Sequence, residues 1–486
     1  MKKAMIAPLL PLALSLALGG CSLAPVYERP PSPVAATWPS GPSYKAEAVA
    51  DNTVPAADIR WRDFFADASL REVIGLALAN NRDLRVSTLN IEKARAQYGI
   101  ERAALVPHIS AGASESAAHT PATLTPIGAT QTTREYSVGL GVAAYELDFF
   151  GRVRNLSEAA LQQYLGTEEA RRAQQIGLVA EVASDYLTLV ADQERLALAQ
   201  STLQSQQVTY ELSQRRFRAG VTSGLDMYEA QTSVEAARFD VAFYTTAVAL
   251  DQNGLALVVG APVPAALLPS GPSISVTKLT EIPAGLPSDL LQRRPDVREA
   301  ERSLRAANAN IGAARAAFFP SISLTTAVGT ASANLAGLFK SGSMAWSFIP
   351  QINLPIFDGG VNRANLAIAK VDRAILVASY EKAIQIAFRE VSDALAQRGT
   401  LELRLASQQA LVAASLKSYR VYDARYKQGA DSYLNALISQ RALYAAQQNL
   451  ITAQLSELTN LVTVYKVLGG GWQQDGAVLA SATGAK

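Results

Sequence analysis

One residue of this chain is placed for covalent chemistry. Cys21 is the only cysteine among 486 residues, and it follows Lys2-Lys3, an apolar stretch from Ala4 to Leu18, and the small pair Gly19-Gly20. A basic start, a short apolar run and small residues before a cleavage point give residues 1–20 the form of a secretory signal peptide. The run falls short of the roughly 20 apolar residues of a bilayer-spanning helix, and Pro8 and Pro11 interrupt it. Leu18-Gly19-Gly20-Cys21 looks like a bacterial lipobox, where cleavage leaves Cys21 at the new N-terminus. Its thiolate can form a thioether to diacylglycerol, and the amine freed by cleavage can take a further acyl chain. Two or more chains anchor stably, where one is marginal. Ser22 follows rather than Asp, which in lipoproteins of this form favours the outer membrane over the inner one.

Other groups that could carry chemistry are sparse. His108 and His119 are the only histidines; they fall at a strand start and in a polar loop, without the Cys or clustered carboxylates of a metal site. Gly139-Leu140-Gly141-Val142-Ala143-Ala144 has the outline of a dinucleotide fingerprint, but no helix opens there and strand alternation runs through it. The sequence contains no phosphate-binding G-x-x-x-x-G-K-[ST] motif, and no nucleophile–base arrangement or glycosidase-like carboxylate pair is evident. Neither an enzyme nor a cofactor is expected. Arg215, Arg216 and Arg218 lie near a predicted helix end, where basic side chains complement the helix dipole; docking of a partner is the other use of such a cluster. With 44 Lys+Arg against 42 Asp+Glu and a net charge of +2, no large basic field exists to draw in nucleic acid. A hydrophobic content of 49% rules out disorder for the bulk of the chain.

The elements that hold these residues follow from proline placement and periodicity. Residues 21–60 are rich in Pro, Ala and Ser without a period of 2 or 3.6, and read as an extended, lipidated tether. None of the 22 prolines lies in 152–261 or 356–486, so both windows can hold very long helices. Seven-residue recurrences run through them: Ile176, Ala183, Val190 and Ala197; Met227, Val234, Val241, Val248 and Leu255; Leu437, Tyr444, Ile451, Leu458 and Tyr465. Such a repeat imposes coiled-coil packing. Gly220 and Gly429 are the natural breaks, so each window is expected to be two antiparallel helices.

The windows are copies. RRFRAGVTSGLDMYEAQ (215–231) matches ARYKQGADSYLNALISQ (424–440) at an offset of 209, and ALVPHIS (104–110) matches AFFPSIS (317–323) at 213. Between the shared proline and each helical window, apolar residues alternate with small or polar ones: Tyr136, Val138, Leu140 and Val142; Ile322, Leu324 and Val328; Trp346, Phe348, Ile352 and Leu354. A weaker fourth strand runs from about His108 to Ser116. The strands pair as hairpins across polar loops, 119–134 and 332–343, so each copy is a hairpin plus a helical pair. Four strands cannot close a barrel, and lipid-facing edges must be paired, which forces oligomerisation if the apolar face meets lipid. The small, polar second face suits a water-filled lumen; the other possibility is a soluble sheet packed on helices.

At this point the chain resembles the TolC-like outer-membrane factors, most closely the OprM-type lipoprotein channels of tripartite multidrug efflux pumps. The motifs are Gly285-Leu286-Pro287-Ser288-Asp289-Leu290-Leu291, Arg294-Pro295-Asp296, Glu299-Ala300-Glu301, ANANIGAARAAFFPSISLT from Ala307, and the closing LGGGW at 468–472. Pro295 and Asp296 are expected to start a helix with Asp296 as N-cap and Glu299 completing a capping box. The resemblance implies an α+β fold: a homotrimeric 12-stranded transmembrane β-barrel, four strands per subunit, continued by a long α-helical coiled-coil periplasmic tunnel, with an internal duplication. The chain then divides into a signal peptide (1–20), the tether (21–60), a first repeat (61–261), an equatorial linker (262–287), a second repeat (288–468) and a C-terminal tail (469–486). The implied role is a passive exit channel through outer-membrane lipid, served by a periplasmic adaptor protein and an inner-membrane proton-driven transporter. A duct for protein secretion or metal efflux would look alike, and a structural coiled-coil envelope lipoprotein without a pore is the rival from another class.

The chain departs from this pattern at the expected periplasmic gate. Many OprM-like proteins carry a Leu and then an Asp after the glycine of the second helical turn, followed by Ala-Gln-Arg. Here Leu434 is followed by Ile438 at the Asp position, with Arg441 beyond. Leu434 and Ile438 stand i and i+4 on one helical face, so if that face lines the pore three copies would form two stacked apolar rings that gate partly by dewetting; the other possibility is that Ile438 packs between helices. Leu225 and Glu229 occupy the equivalent places in the first copy. Arg441, deprived of its usual carboxylate, is expected to pair with Glu229, or with Asp226 or Asp431 near the same tip.

Overall fold

The computed structural model describes residues 22–44, 56–269 and 292–472. The expected signal peptide, Cys21, most of the 262–287 linker, the 285–291 motif and all but the first residues of the C-terminal tail lie outside that set. The described chain forms two compact units. One holds 22–31, Asn90–Glu168 and Glu299–Glu381; the other holds the remaining described residues.

The helices are α1 (Ala68–Asn80), α2 (Arg82–Ala103), α3 (Arg152–Arg218), α4 (Gly224–Val259), α5 (Pro295–Ala316), α6 (Val361–Lys427) and α7 (Tyr433–Val467), beside single turns. The strands are β1 (Ile109–Thr120), β2 (Gln131–Glu146), β3 (Ser321–Ser332) and β4 (Met344–Asn353). The duplication preserves the length of α3 and α6, each 67 residues and on the order of 100 Å long at 1.5 Å per residue.

In the first unit the strands form one antiparallel sheet in the order β1-β2-β3-β4, which leaves β1 and β4 as edges. Its register sorts the side chains into rows. Gly112, Gly139, Gly329 and Ala345 stand opposite one another, as do Ser110, Gly141, Ala327 and Ser347. The alternate rows are Ala111, Leu140, Val328 and Trp346, then Ile109, Val142, Thr326 and Phe348. One face is therefore bare or small and polar, and the other largely apolar, as the alternation requires. The glycine row is a close fit: a Cβ on Gly329 would lie 2.2 Å from the Val138 carbonyl oxygen, and one on Gly139 2.7 Å from that of Val328. A bulge between Val142 and Tyr145 puts Ala144 at φ 51°, adding a local kink and twist. The strands run further than the alternation suggested, so the loops shrink to 121–130 and 333–343: hairpin pairing carries the ladder through polar positions such as His119↔Thr132.

Residues 22–29, read as part of a free tether, are docked. They run along α5 in the opposite direction. Arg315 donates to the Leu23 carbonyl (3.0 Å), Asn308 to that of Pro25 (2.7 Å), and Glu301 receives Tyr27 (3.2 Å) and Arg29 (2.9 Å). Ser22 donates to Asn155 at 3.0 Å. Burial alone would raise the Glu301 carboxyl, but hydrogen bonds from Arg305 and Arg29 hold it below its ordinary value. A Cβ on Gly312 would stand 2.8 Å from Ala24, so only glycine leaves room for the strap. Ser22–Arg29 had no periodicity to betray this, because a docked extended segment is held by its partner's side chains.

The second unit has one large apolar core, in which Phe64 stacks on Tyr465 at 4.0 Å among Leu70, Ile74, Leu178, Leu187 and Leu255. The heptad positions Ile176, Ala183, Val190, Val234, Ile451 and Leu458 are buried as the repeat predicts. Gln408 donates to the Ala446 carbonyl and Asn460 to that of Ala394: fourteen residues back along α6 correspond to fourteen forward along α7, so this pair is antiparallel. Between α3 and α4, burial and then the neighbouring Asp192 carboxylate push the Asp251 carboxyl up to about 6. Asp296 is not an N-cap. Helix α5 already begins at Pro295, and the Asp296 carboxylate turns back to Arg294 at 2.7 Å, where Glu390 (2.7 Å) and the Val467 carbonyl (3.1 Å) meet the same guanidinium. A buried cation this well placed outcompetes the free N–H groups for the carboxylate.

Candidate functional site

Two places can act on a solute: the small-residue face of the sheet and the turns that end the long helices. The first is uncharged over its central rows, offering hydroxyls, backbone and glycine. Ser114 and Ser137 hydroxyls bond across it at 2.8 Å. Gly139 and Gly141 lie within β2, in strand conformation, so the dinucleotide-like outline has no helix to serve it. Among the described residues no group of three or more His, Cys, Asp or Glu converges on a metal site, and no described helix is long and apolar enough to cross a membrane.

The turns are built alike. Gly220 and Gly429 take φ +72° and +74°, left-handed values that glycine adopts without strain, and the second helix of each pair starts after Ser223 or Ser432. Under the second turn, Tyr433, Ala436 and Leu437 pack with Ala230 and Tyr426. That burial turns the opposite face of α7 outward: Leu434 and Ile438 keep 47% and 56% exposure, whereas Leu437 keeps 1%. The shared face expected for Leu434 and Ile438 is thus present, and Leu225 is exposed on α4 at the other turn.

The charges near the tip are arranged differently from expectation. Arg441 makes no ion pair with Glu229, Asp226 or Asp431; its Nη2 lies 3.4 Å from the Ser233 hydroxyl. Asp431 is already engaged by Asn435 (2.7 Å), the Ser432 N–H (2.9 Å) and Arg425 (3.2 Å), and these donors hold its carboxyl below the ordinary value. Asp226 accepts from Thr222 at 3.1 Å. The α4–α7 tie that sequence reasoning missed is Tyr444 donating to Asp240 at 2.9 Å; burial and then that bond raise the tyrosine's pKa. Tyr444 was legible only as a heptad position, and its hydroxyl was the unused signal. Of the three arginines, Arg216 of α3 stacks on Tyr426 of α6 at 5.1 Å, between the two helical hairpins, and Arg215 stands 3.9 Å from Glu211 within α3.

The family model described as outer membrane efflux protein matches residues 73–261 and 286–470. The chain belongs to this outer membrane efflux protein family. It is 51% identical over 457 residues, 94% of each chain, to the toluene efflux pump outer membrane protein TtgC of Pseudomonas putida, and equally to that organism's antibiotic efflux pump outer membrane protein ArpC. Its fold matches the open state of the Neisseria gonorrhoeae MtrE outer membrane channel with a TM-score of 0.84 at 39% identity, covering 94% of this chain and 99% of that one. The family fold is a trimeric outer-membrane channel extending into the periplasm. The unpaired edges of β1 and β4 therefore close against neighbouring subunits in a 12-stranded barrel. In such a barrel the apolar rows suit lipid and the small rows suit a water-filled lumen.

Proposed function

We propose that this chain is the passive exit duct of a tripartite efflux pump, conducting antibiotics, organic solvents or other toxic small molecules from periplasm to exterior. An inner-membrane proton-driven transporter and a periplasmic adaptor load it, and the duct itself catalyses nothing. The observation that carries the reading is the sheet's division into an apolar face and a small-residue face uncharged over its central rows, which a water-filled wall needs and a plain envelope tether does not. The names of the relatives, toluene and antibiotic efflux, favour small molecules over protein cargo. Leu434 and Ile438 form two apolar rings at the tip that close by excluding water, with Leu225 and Glu229 from the first repeat beside them and Arg441 next to the constriction. Cys21 carries the acyl anchor.

The test is a deletion strain challenged with a panel of antibiotics and solvents, together with planar-bilayer recordings of the purified protein. Lost resistance restored by the wild-type gene, and conductance from a species that cross-links to a threefold band, is the expected result. A monodisperse monomer without conductance rejects the duct and leaves a structural lipoprotein. Palmitate labelling that is equal in wild type and Cys21→Ser rejects the anchor.

A further inference from the structure

The luminal face is uncharged in its central rows, but one carboxylate stands on it further out. Glu135 on β2 pairs with Ser116 on β1 and shares the parity of Ser137, Gly139 and Gly141, so it points into the lumen. It lies toward the 121–130 loop, about 13 Å beyond the glycine row at roughly 3.3 Å per residue. Glu135 is exposed, and among the described residues it has no ion pair. The only other luminal charge on the strands, Glu146, is neutralised by Arg152, whose Nε donates to it at 2.9 Å. Glu115 and Arg134, at nearly the same height, have the opposite parity and face outward.

We propose that Glu135 is the residue that sets charge preference in the outer part of the duct, a cation-favouring ring of three carboxylates in an otherwise uncharged wall. The inference rests on the reading of the sheet as the wall of a trimeric channel. Twelve strands spaced about 4.8 Å apart and tilted about 40° give a barrel radius of roughly 12 Å. A luminal carboxylate then stands roughly 8 Å from the axis, about one Debye length at 0.15 M salt. Three such charges raise the axial concentration of a monovalent cation about threefold at 0.15 M and about sevenfold at 0.01 M, by Coulomb's law in water with screening. Anions are depleted by the same factors. The ring stands at the opposite end of the strands from the helices, so it acts on solutes leaving the barrel and on ions arriving from outside, whatever the tip does.

The reporter is Ser137→Cys, one luminal position below Glu135, labelled in intact cells by water-soluble cationic and anionic methanethiosulfonates, with the wild type as the blank for Cys21. Labelling from outside does not pass the tip, so the result is independent of the gate. Adding Glu135→Gln should slow the cationic reagent about threefold at 0.15 M and about sevenfold at 0.01 M and speed the anionic one, while Glu115→Gln changes neither. Normal labelling that ignores Glu135→Gln, or responds equally to Glu115→Gln, overturns the inference and leaves the duct standing. A Ser137→Cys trimer whose introduced thiol never reacts overturns both.

Discussion

Truncating Ile438 should loosen the closed tip. In one subunit Leu434 and Ile438 keep 47% and 56% of their surface exposed. Full burial of such a side chain is worth roughly 1.5–3 kcal/mol, so closing the rings withdraws about half of that, around 1 kcal/mol per side chain. Ile438→Ala removes most of one such contribution from each subunit, about 3 kcal/mol for the trimer if the three subunits contribute alike. At 1.4 kcal/mol per decade, open probability should rise on the order of a hundredfold. Resting conductance in planar bilayers reads this directly, and vancomycin susceptibility reads it in cells. Leu434→Ala should behave alike, because it shares the face; Leu437→Ala, buried in the Tyr426–Tyr433 cluster, should instead lower stability by roughly 2–5 kcal/mol. If both exposed-face variants conduct and exclude vancomycin like the wild type, Ile438 does not line the constriction and the dewetting argument fails.

Other consequences are open to measurement. Ile438→Asp should add a second cation-attracting ring, raising the potassium-over-chloride permeability ratio in bilayers; no change places the side chain away from the pore. Gly312→Val should unseat Ser22–Arg29 from α5, so that a glutamate-specific protease cuts after Glu28 faster than in wild type, and equal cleavage rates would show that the strap tolerates a Cβ. Asp251, with its raised pKa of about 6, binds its proton more tightly folded than unfolded. Its contribution is therefore fully present below about pH 4 and lost as pH rises through about 6. Detergent-purified Asp251→Asn trimers should melt with a flatter dependence between pH 4 and 7, and an unaltered profile would remove the carboxylate from the account.

Much of the fold was legible because it obeys simple periods. A proline-free window with seven-residue spacing leaves a long helix few alternatives, and glycine at the repeat-matched break positions marks the turns. The β-hairpins followed from alternation, although their ends did not, since Thr132, Thr133 and Arg134 give no apolar signal and are held by cross-strand hydrogen bonds. The candidate tip split along the same line. The shared face of Leu434 and Ile438 is a matter of helical geometry and could be read from spacing. The partner of Arg441 depends on which neighbour has already been claimed, and Asp431 is claimed by Asn435 and Arg425. Asp296 failed as a cap for the same reason: a spacing rule sees the helix start but not the side chain of Arg294 folded back onto it. Glu135 was available to anyone counting parity along β2, but one charge in a strand carries no period.

The docked strap changes what the proposed acyl anchor would mean. A free chain of about 40 residues would let its end wander on the order of 30 Å from the folded protein. With Ser22 bonded to Asn155 and Leu23 to Arg315, the chain is seated from Ser22 onward. That is a mooring rather than a leash. If Cys21 carries the acyl chain proposed above, each subunit would bring its lipid to a set position around the barrel, and three subunits would bring three lipids at equal intervals. Losing the acyl chains would remove hydrocarbon from those positions while leaving the seats beside α5 intact. A chain that lost the seat would keep its lipid but could no longer say where around the barrel it belongs.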